Sequence, residues 1–236
     1  MRKIAIILFG LCVRGMLTPP LYAQQVTPLL QETKTEHMTL SPGAMIRFDD
    51  SYGELNIEGW NKPDVEITVI KTLPYDSKQS KATKDLNVVQ VTSNRISDKE
   101  LVIATKIATH DGLLSSVAKT KTDVWVEYQI RAPRDSKLSI HHGNGSVTVN
   151  NMAADVEANS SGGDIVVILT DPESCRVDAK TQFGTVTSDF GQTRRQHFVG
   201  RSLVTGNSTS PFVRLRMGYG GITVKTLPKE AYTADQ

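Results

Sequence analysis

Disulfides are the first thing this sequence rules out. Its 236 residues include two cysteines, Cys12 and Cys175. Cys12 falls inside an N-terminal segment with the form of a removable secretory signal. One cysteine then remains, so no intrachain bridge can staple the fold. With no partner motif beside it, Cys175 reads as a buried, inert thiol. Long apolar runs are also missing. Ile4 to Val13 is followed at once by Arg14, and a run of that length is too short to cross a bilayer. There is no excess of one charge. Of the 27 basic residues, three (Arg2, Lys3 and Arg14) lie in the signal, which leaves 24 against 25 acidic residues. No basic arm interleaved with aromatics remains, which argues against nucleic acid as a partner. Helical periodicity is absent, and so are the motifs of nucleophilic, metal or nucleotide chemistry. The chain is therefore expected to be all-β, without a cofactor, and not an enzyme.

What is present begins with an export address. Arg2 and Lys3 precede the apolar run, and Leu21-Tyr-Ala23 provides a small-residue exit. Cys12 follows Gly10-Leu11 rather than a small residue, which argues against a lipid anchor. The remaining chain divides into a polar, flexible lead-in over 24–37, a strand-rich region over 38–136, a repeat region over 137–226 and a polar tail over 227–236. No membrane span is expected once the signal is removed.

The repeat is a phrase of glycine, any residue, aliphatic, any residue, aliphatic or small. It occurs at Gly145-Ser-Val147-Thr-Val149, Gly163-Asp-Ile165-Val-Val167 and Gly184-Thr-Val186-Thr-Ser188, with outlying copies at Gly53-Glu-Leu55-Asn-Ile57 and Gly220-Gly-Ile222-Thr-Val224. The glycines at 145, 163, 184 and 220 are separated by 18, 21 and 36 residues, the last being two units of 18. Alternation puts each aliphatic pair on one face of a strand, and the glycine suits a corner that needs positive φ. A second short strand precedes each corner, as in Val156-x-Ala158 and Val213-x-Leu215-x-Met217. Units of strand, corner and strand cannot bury their apolar faces singly, whereas stacked units share a core. The pattern therefore predicts a right-handed β-solenoid, or β-helix-like repeat body, with an N-terminal β-rich portion. An antiparallel sandwich or barrel is the alternative. Residues 192–210 are compatible with a degenerate coil or a loop.

The stretch Asp50-Ser-Tyr-Gly53-Glu-Leu-Asn-Ile57-Glu-Gly59-Trp60-Asn-Lys-Pro-Asp-Val65-Glu-Ile67, the strand ending at Pro133 and the glycine-led phrases come in a telling order. Together they resemble the exported bacterial proteins catalogued as putative adhesins, a domain family of unknown function. The resemblance spans residues 38 to 226 and implies a β-helix-like body with a periplasmic or surface address. It brings no established binding or catalytic residues. Ser188 and the weak unit after Gln192 depart from the pattern.

Several side chains invite chemistry. His141 and His142 are adjacent on a strand, so they point to opposite faces and cannot readily share a metal. Asp155, Asp164, Asp178 and Asp189 recur near corners and could form a column, but they lack a calcium-binding repeat. Ser160-Ser-Gly-Gly lacks the nucleophile-elbow pattern. Tyr52, Phe183 and Tyr219 each precede a repeat glycine, so with the units in register they would form an aromatic stripe able to meet a glycan. The competing reading is that each ring covers the bare backbone of a neighbouring glycine. The expected function is that of a cell-envelope adhesin binding a surface or glycan ligand. A self-associating envelope scaffold is the second expectation, and a carbohydrate-active enzyme the third.

Overall fold

The computed structural model describes residues 29–74, 86–108, 123–190, 193–196, 200–206 and 211–227. The signal segment, the His110–Thr122 stretch and most of the C-terminal tail lie outside the described residues. In chain order the strands are β1 (Leu29–Thr39), β2 (Met45–Trp60), β3 (Asp64–Pro74), β4 (Val89–Ser97), β5 (Glu100–Ile107), β6 (Trp125–Pro133) and β7 (Lys137–Asn150). They continue with β8 (Val156–Leu169), β9 (Arg176–Phe183), β10 (Val186–Ser188), β11 (Thr193–Gln196), β12 (Gly200–Thr205) and β13 (Phe212–Thr226). All belong to one large mixed sheet that does not close on itself. The fold is all-β.

Strand β7 cannot be straight. It runs parallel to β8 with Leu138 beside Val156 and Asn150 beside Ile168. A straight 14-residue strand would be about 46 Å long. The link Asn151–Asp155 must carry the chain back to the start of the rung, and it reaches roughly 20 Å. Each long strand is therefore folded at its middle into two legs. The first legs pair with first legs and the second with second. Thus β7 pairs with β8 and β8 with β13 along both legs, and β2 pairs with β7 on both legs with register shifts between Phe48 and Gly53. At one end β5 and β6 split the rung between them, pairing with the two legs of β2. At the other end β9 and β10 do the same with β13.

The fold in each rung occurs at the repeat glycine. Gly53, Gly145, Gly163, Gly220 and Gly184 have φ of 93°, 128°, 103°, 127° and 151°, the region that L-residues avoid. Conformation is only half of the requirement. A Cβ on Gly145 would lie 1.8 Å from the carbonyl oxygen of Gly53, one on Gly163 1.8 Å from that of Gly145, and one on Gly220 1.7 Å from that of Gly163. Each glycine thus admits the backbone of the next rung where a side chain would stand. The corner also changes the phase of the alternation. From the last buried residue of the first leg to the first of the second is five positions: His142 to Val147, Ser160 to Ile165, Met217 to Ile222 and Thr181 to Val186. An odd step along a straight strand would reverse the face. The glycine corner returns both legs to the same interior.

That interior is built of columns. Leu55, Val147, Ile165, Ile222 and Val186 are register neighbours in succession, all 4% exposed or less. Facing them, Phe48, Ile140, Ala158, Leu215 and Ala179 form the first-leg column. Small Ala158 and Ala179 leave room where the legs converge.

The order of the rungs departs from the order of the sequence. Counting units of 18 puts Gly220 two coils beyond Gly184. In the structure β13 lies between β8 and β9, so the glycine column reads 53, 145, 163, 220, 184. The 36-residue separation is a return of the chain into the stack rather than two further coils. Between β9 and β13, residues 193–196 and 200–205 form an antiparallel hairpin that extends the sheet from β9. The described part of 192–210 is therefore neither a coil nor a bare loop. The expected divide at 136 and 137 also has no counterpart in the pairing, because β2 and β7 are neighbouring rungs of one sheet.

The flexible lead-in expected over 24–37 is corrected for its described part. Leu29–Thr39 is a strand paired antiparallel along its whole length with β3. Backbone hydrogen bonding orders a segment whose side chains gave no alternation. Glu32, Lys34 and Glu36 stand opposite Lys71, Val69 and Ile67, with Lys34 paired to Glu36 and Lys71 to Glu32. Charges along an outer strand oppose further strand addition.

The corner geometry sets up a paired test. Gly163→Ala forces a Cβ into the Gly145 carbonyl at positive φ and is expected to destabilise the protein by at least about 3 kcal/mol. For Gly143 the nearest atom to an added Cβ is 3.6 Å away, so Gly143→Ala should stay within about 1 kcal/mol of the wild type. Urea unfolding midpoints of the two variants check both outcomes.

Candidate functional site

The site lies on the outer face of the first legs, beside the corners. Residues four positions before each repeat glycine form an outward column: His141, Asn159, Arg216 and Lys180 are register neighbours on β7, β8, β13 and β9. Two positions before the glycine, the same rungs carry Gly143, Ser161, Gly218 and Gln182. The small residues Gly143, Ser161 and Gly218 leave an open cavity of about 680 Å³, lined by both columns, Asp50 and Tyr219.

Tyr219 and Phe183, each one position before a repeat glycine, are partners in the register of β13 and β9. Their rings stack with centroids 4.8 Å apart and planes within 10°. They are 65% and 46% exposed. An exposed parallel ring pair gains little from burial, so packing alone does not account for it. Tyr52 stands apart. It is half-buried against the core, and its hydroxyl donates to the Val124 carbonyl at 3.4 Å. Burial raises its phenol well above the usual tyrosine range. Three rung steps, about 14 Å, separate it from Tyr219. The intervening positions hold Asn144 and Gly162, so the three rings do not form one stripe.

The polar side chains around the cavity differ in their freedom. The Arg216 guanidinium is locked onto Asp178, donating through Nη1 to Oδ1 at 3.0 Å and through Nη2 to Oδ2 at 2.8 Å. It also reaches the Asp178 and Leu215 carbonyls. It forms a wall of the cavity rather than a free charge. His141 is exposed, with Nδ1 3.9 Å from Asp49. Lys180, Gln182 and Ser161 are exposed. A surface with planar amides, hydroxyls and cations beside an aromatic face is suited to a hydroxyl-rich ligand.

The two adjacent histidines do point to opposite faces. His142 is 4% exposed and continues an inward column with Ser51, Ser160, Met217 and Thr181. The Ser51 hydroxyl lies 2.9 Å from His142 Nδ1 and 3.4 Å from the His141 carbonyl. Nε2 is buried without a protein hydrogen-bond partner. Burial pushes the imidazole down to about 4, against the pull of the Asn144 and Gly53 carbonyls.

The four corner carboxylates are engaged in joining rungs. Asp155 accepts from the Phe212 amide at 2.9 Å and lies 3.1 Å from Lys137. Asp164 accepts from the Gly221 amide at 3.0 Å, and Asp189 from the Thr226 amide at 2.8 Å. Asp178 holds Arg216. Each ties its own strand to a neighbour in the stack, so the four do not converge on one point. Cys175 is buried with its thiol raised by burial, and it donates weakly to the Pro172 carbonyl at 3.6 Å.

No family model and no curated protein matches the chain. Among solved structures, the chain is similar to a putative cell adhesion protein from Clostridium sporogenes, at 16% identity over 83% of this chain and 100% of that one, with a TM-score of 0.45. It is also similar to a putative adhesin from Bacteroides fragilis, at 13% identity over 83% and 97% of the two chains, with a TM-score of 0.26. A putative adhesin from Parabacteroides distasonis gives 13% identity over 82% and 70%, with a TM-score of 0.25. Likenesses this remote carry no argument about ligand or partner.

The aromatic residues were legible from the sequence, but the outward column was not singled out. Its signal lies in the phrase itself: aligned on the glycine, offset −4 reads His, Asn, Arg and Lys, all polar and all flanked by inward residues.

The buried imidazole predicts a pH dependence of stability. The unfolded chain takes up this proton near the ordinary value of 6.5, whereas the folded chain resists it down to about 4. Stability is therefore fully present above about 6.5 and falls as the pH drops towards 4, by roughly 3 kcal/mol in total. Below that the folded form protonates too, and the contribution of His142 levels off. Urea titrations between pH 7 and pH 4.5 should show this loss in the wild type and its removal in His142→Leu.

Proposed function

We propose that the protein is an exported, non-enzymatic adhesin-like module that binds glycan at the cell envelope through the outer face of its bent-strand stack. The observation that carries this reading is the exposed Phe183–Tyr219 stack bordering an open cavity lined by hydrogen-bonding side chains. Aromatic faces pack against the C–H faces of sugar rings, while amides and hydroxyls take up the ring hydroxyls. The basic N-terminus, apolar run and small-residue exit of the sequence support export. We read the parallel ladder of folded rungs as a β-solenoid body, whose side-by-side repeats present the site as a series of columns.

The scaffold reading is less favoured, because the outer strand β1 carries Glu32, Lys34 and Glu36 along its length and such a charged margin resists strand addition. A carbohydrate-active enzyme needs two convergent acid–base groups. The carboxylates described above are each tied to a neighbouring rung instead.

Phe183→Ser and Tyr219→Ser, made singly, are expected to abolish retention on a glycan array with little change in melting temperature. Tyr52→Ser should lower the melting temperature and leave retention in place. Loss of thermal stability in the Phe183 and Tyr219 variants, with glycan retention intact, would show the pair to be packing residues and overturn the reading.

A further inference from the structure

The ring stack stops at a vacancy. The outward position one before the repeat glycine is Asn144 on β7, Gly162 on β8, Tyr219 on β13 and Phe183 on β9, consecutive in register. Phe183 and Tyr219 stack along the direction in which the rungs stack. The free face of Tyr219 is therefore turned toward the β8 position, where Gly162 supplies no side chain.

The backbone does not require that glycine. Gly162 does not fall among the glycines of positive φ. A Cβ there would meet the Asn144 side chain, with Oδ1 at 2.9 Å and Cγ at 3.8 Å, and the Tyr219 carbonyl at 3.8 Å. The first contact is the end of a flexible amide, which can swing aside. Gly162 thus differs from its neighbour Gly163, whose Cβ would strike the Gly145 backbone, with O, C and N at 1.8, 2.7 and 2.9 Å. What the missing side chain provides is open space one rung thick against an exposed aromatic face.

We propose that this space is a subsite for a single neutral pyranose ring, which lies flat on Tyr219 over Gly162 and occupies the place a third aromatic residue would take in the stack. The inference rests on the glycan reading above and narrows it to one ring position and one class of sugar. The rung spacing of about 4.8 Å accommodates one ring stacked on another. The Asn144 amide leans over the vacancy from the far side and can pair with ring hydroxyls as donor and acceptor. Ser161 and Gln182 are exposed beside Tyr219 on the cavity side. None of these groups carries a charge. The nearby guanidinium of Arg216 is held by Asp178 and the exposed Lys180 stands on β9, two rungs from Gly162 on β8, so a carboxylated sugar would find no free cation at the ring itself.

The test uses Gly162→Tyr, whose side chain would continue the stack and fill the subsite from within, and Gly162→Leu as a second plug. Retention is measured on immobilised neutral glucan oligosaccharides and on an oligogalacturonate of equal length, with thermal melting as the control for folding. The wild type should retain the neutral chains, and each plug that melts as the wild type does should weaken retention by about tenfold or more. If a folded plug binds as the wild type does while Tyr219→Ser has lost binding, the glycan site stands and the subsite over Gly162 is overturned. Preference for the oligogalacturonate overturns the neutral class. If the wild type retains no glycan of either kind, the functional reading fails, and this inference with it.

Discussion

The fold depends on a contact between glycines. At each corner the backbone of one rung occupies the volume where the neighbouring rung's Cβ would stand, and the same residue must take a φ that L-residues avoid. Both demands fall on one position per rung, and both are met only by glycine. Everything else follows from that closeness. The legs converge because the corners are tight, the aliphatic columns pack because the legs converge, and outward positions align into columns because the rungs keep one register.

The corner explains why the interior tolerates polar residues where it does. Ser51, His142, Ser160 and Thr181 lie just before the bend, where main-chain carbonyls turn inward and need partners. Ser160 donates to the Gly162 carbonyl at 3.0 Å and Thr181 to that of Gly220 at 3.2 Å. His142 is the exception with an unsatisfied atom, and a neutral ring is a smaller penalty in such a place than a charged one. Farther from the bend the two columns from Leu55 to Val186 and from Phe48 to Ala179 are apolar throughout.

The parts of this architecture legible in the sequence were those written locally. Glycine at a fixed offset from two aliphatics gave the corner, the second leg and the membership of Val147, Ile165, Val186 and Ile222 in one inner column. Non-local facts were hidden. Nothing near Gly220 says that its rung enters between those of Gly163 and Gly184, because register-compatible strands of the same phrase could stack in either order. Strand β1 was missed because Glu32, Lys34 and Glu36 charge one face and Gln31, Thr33 and Thr35 make the other polar, so no alternation marks it. Its order comes from hydrogen bonding to β3. For the site, Phe183 and Tyr219 were found by their offset from glycine, but the vacancy between Tyr219 and Asn144 depends on which rungs are neighbours.

The intercalated position of β13 also bears on how the chain is made. Synthesis delivers β8 and then β9, yet each needs β13, the last of the described strands, as its neighbour along the sheet. Until residues 212–226 leave the ribosome, two parallel-pairing margins stay unfilled in the middle of the future stack. A nascent or C-terminally clipped chain therefore lacks the centre of its ladder rather than merely its end. The stack cannot be completed from the N-terminus one rung at a time.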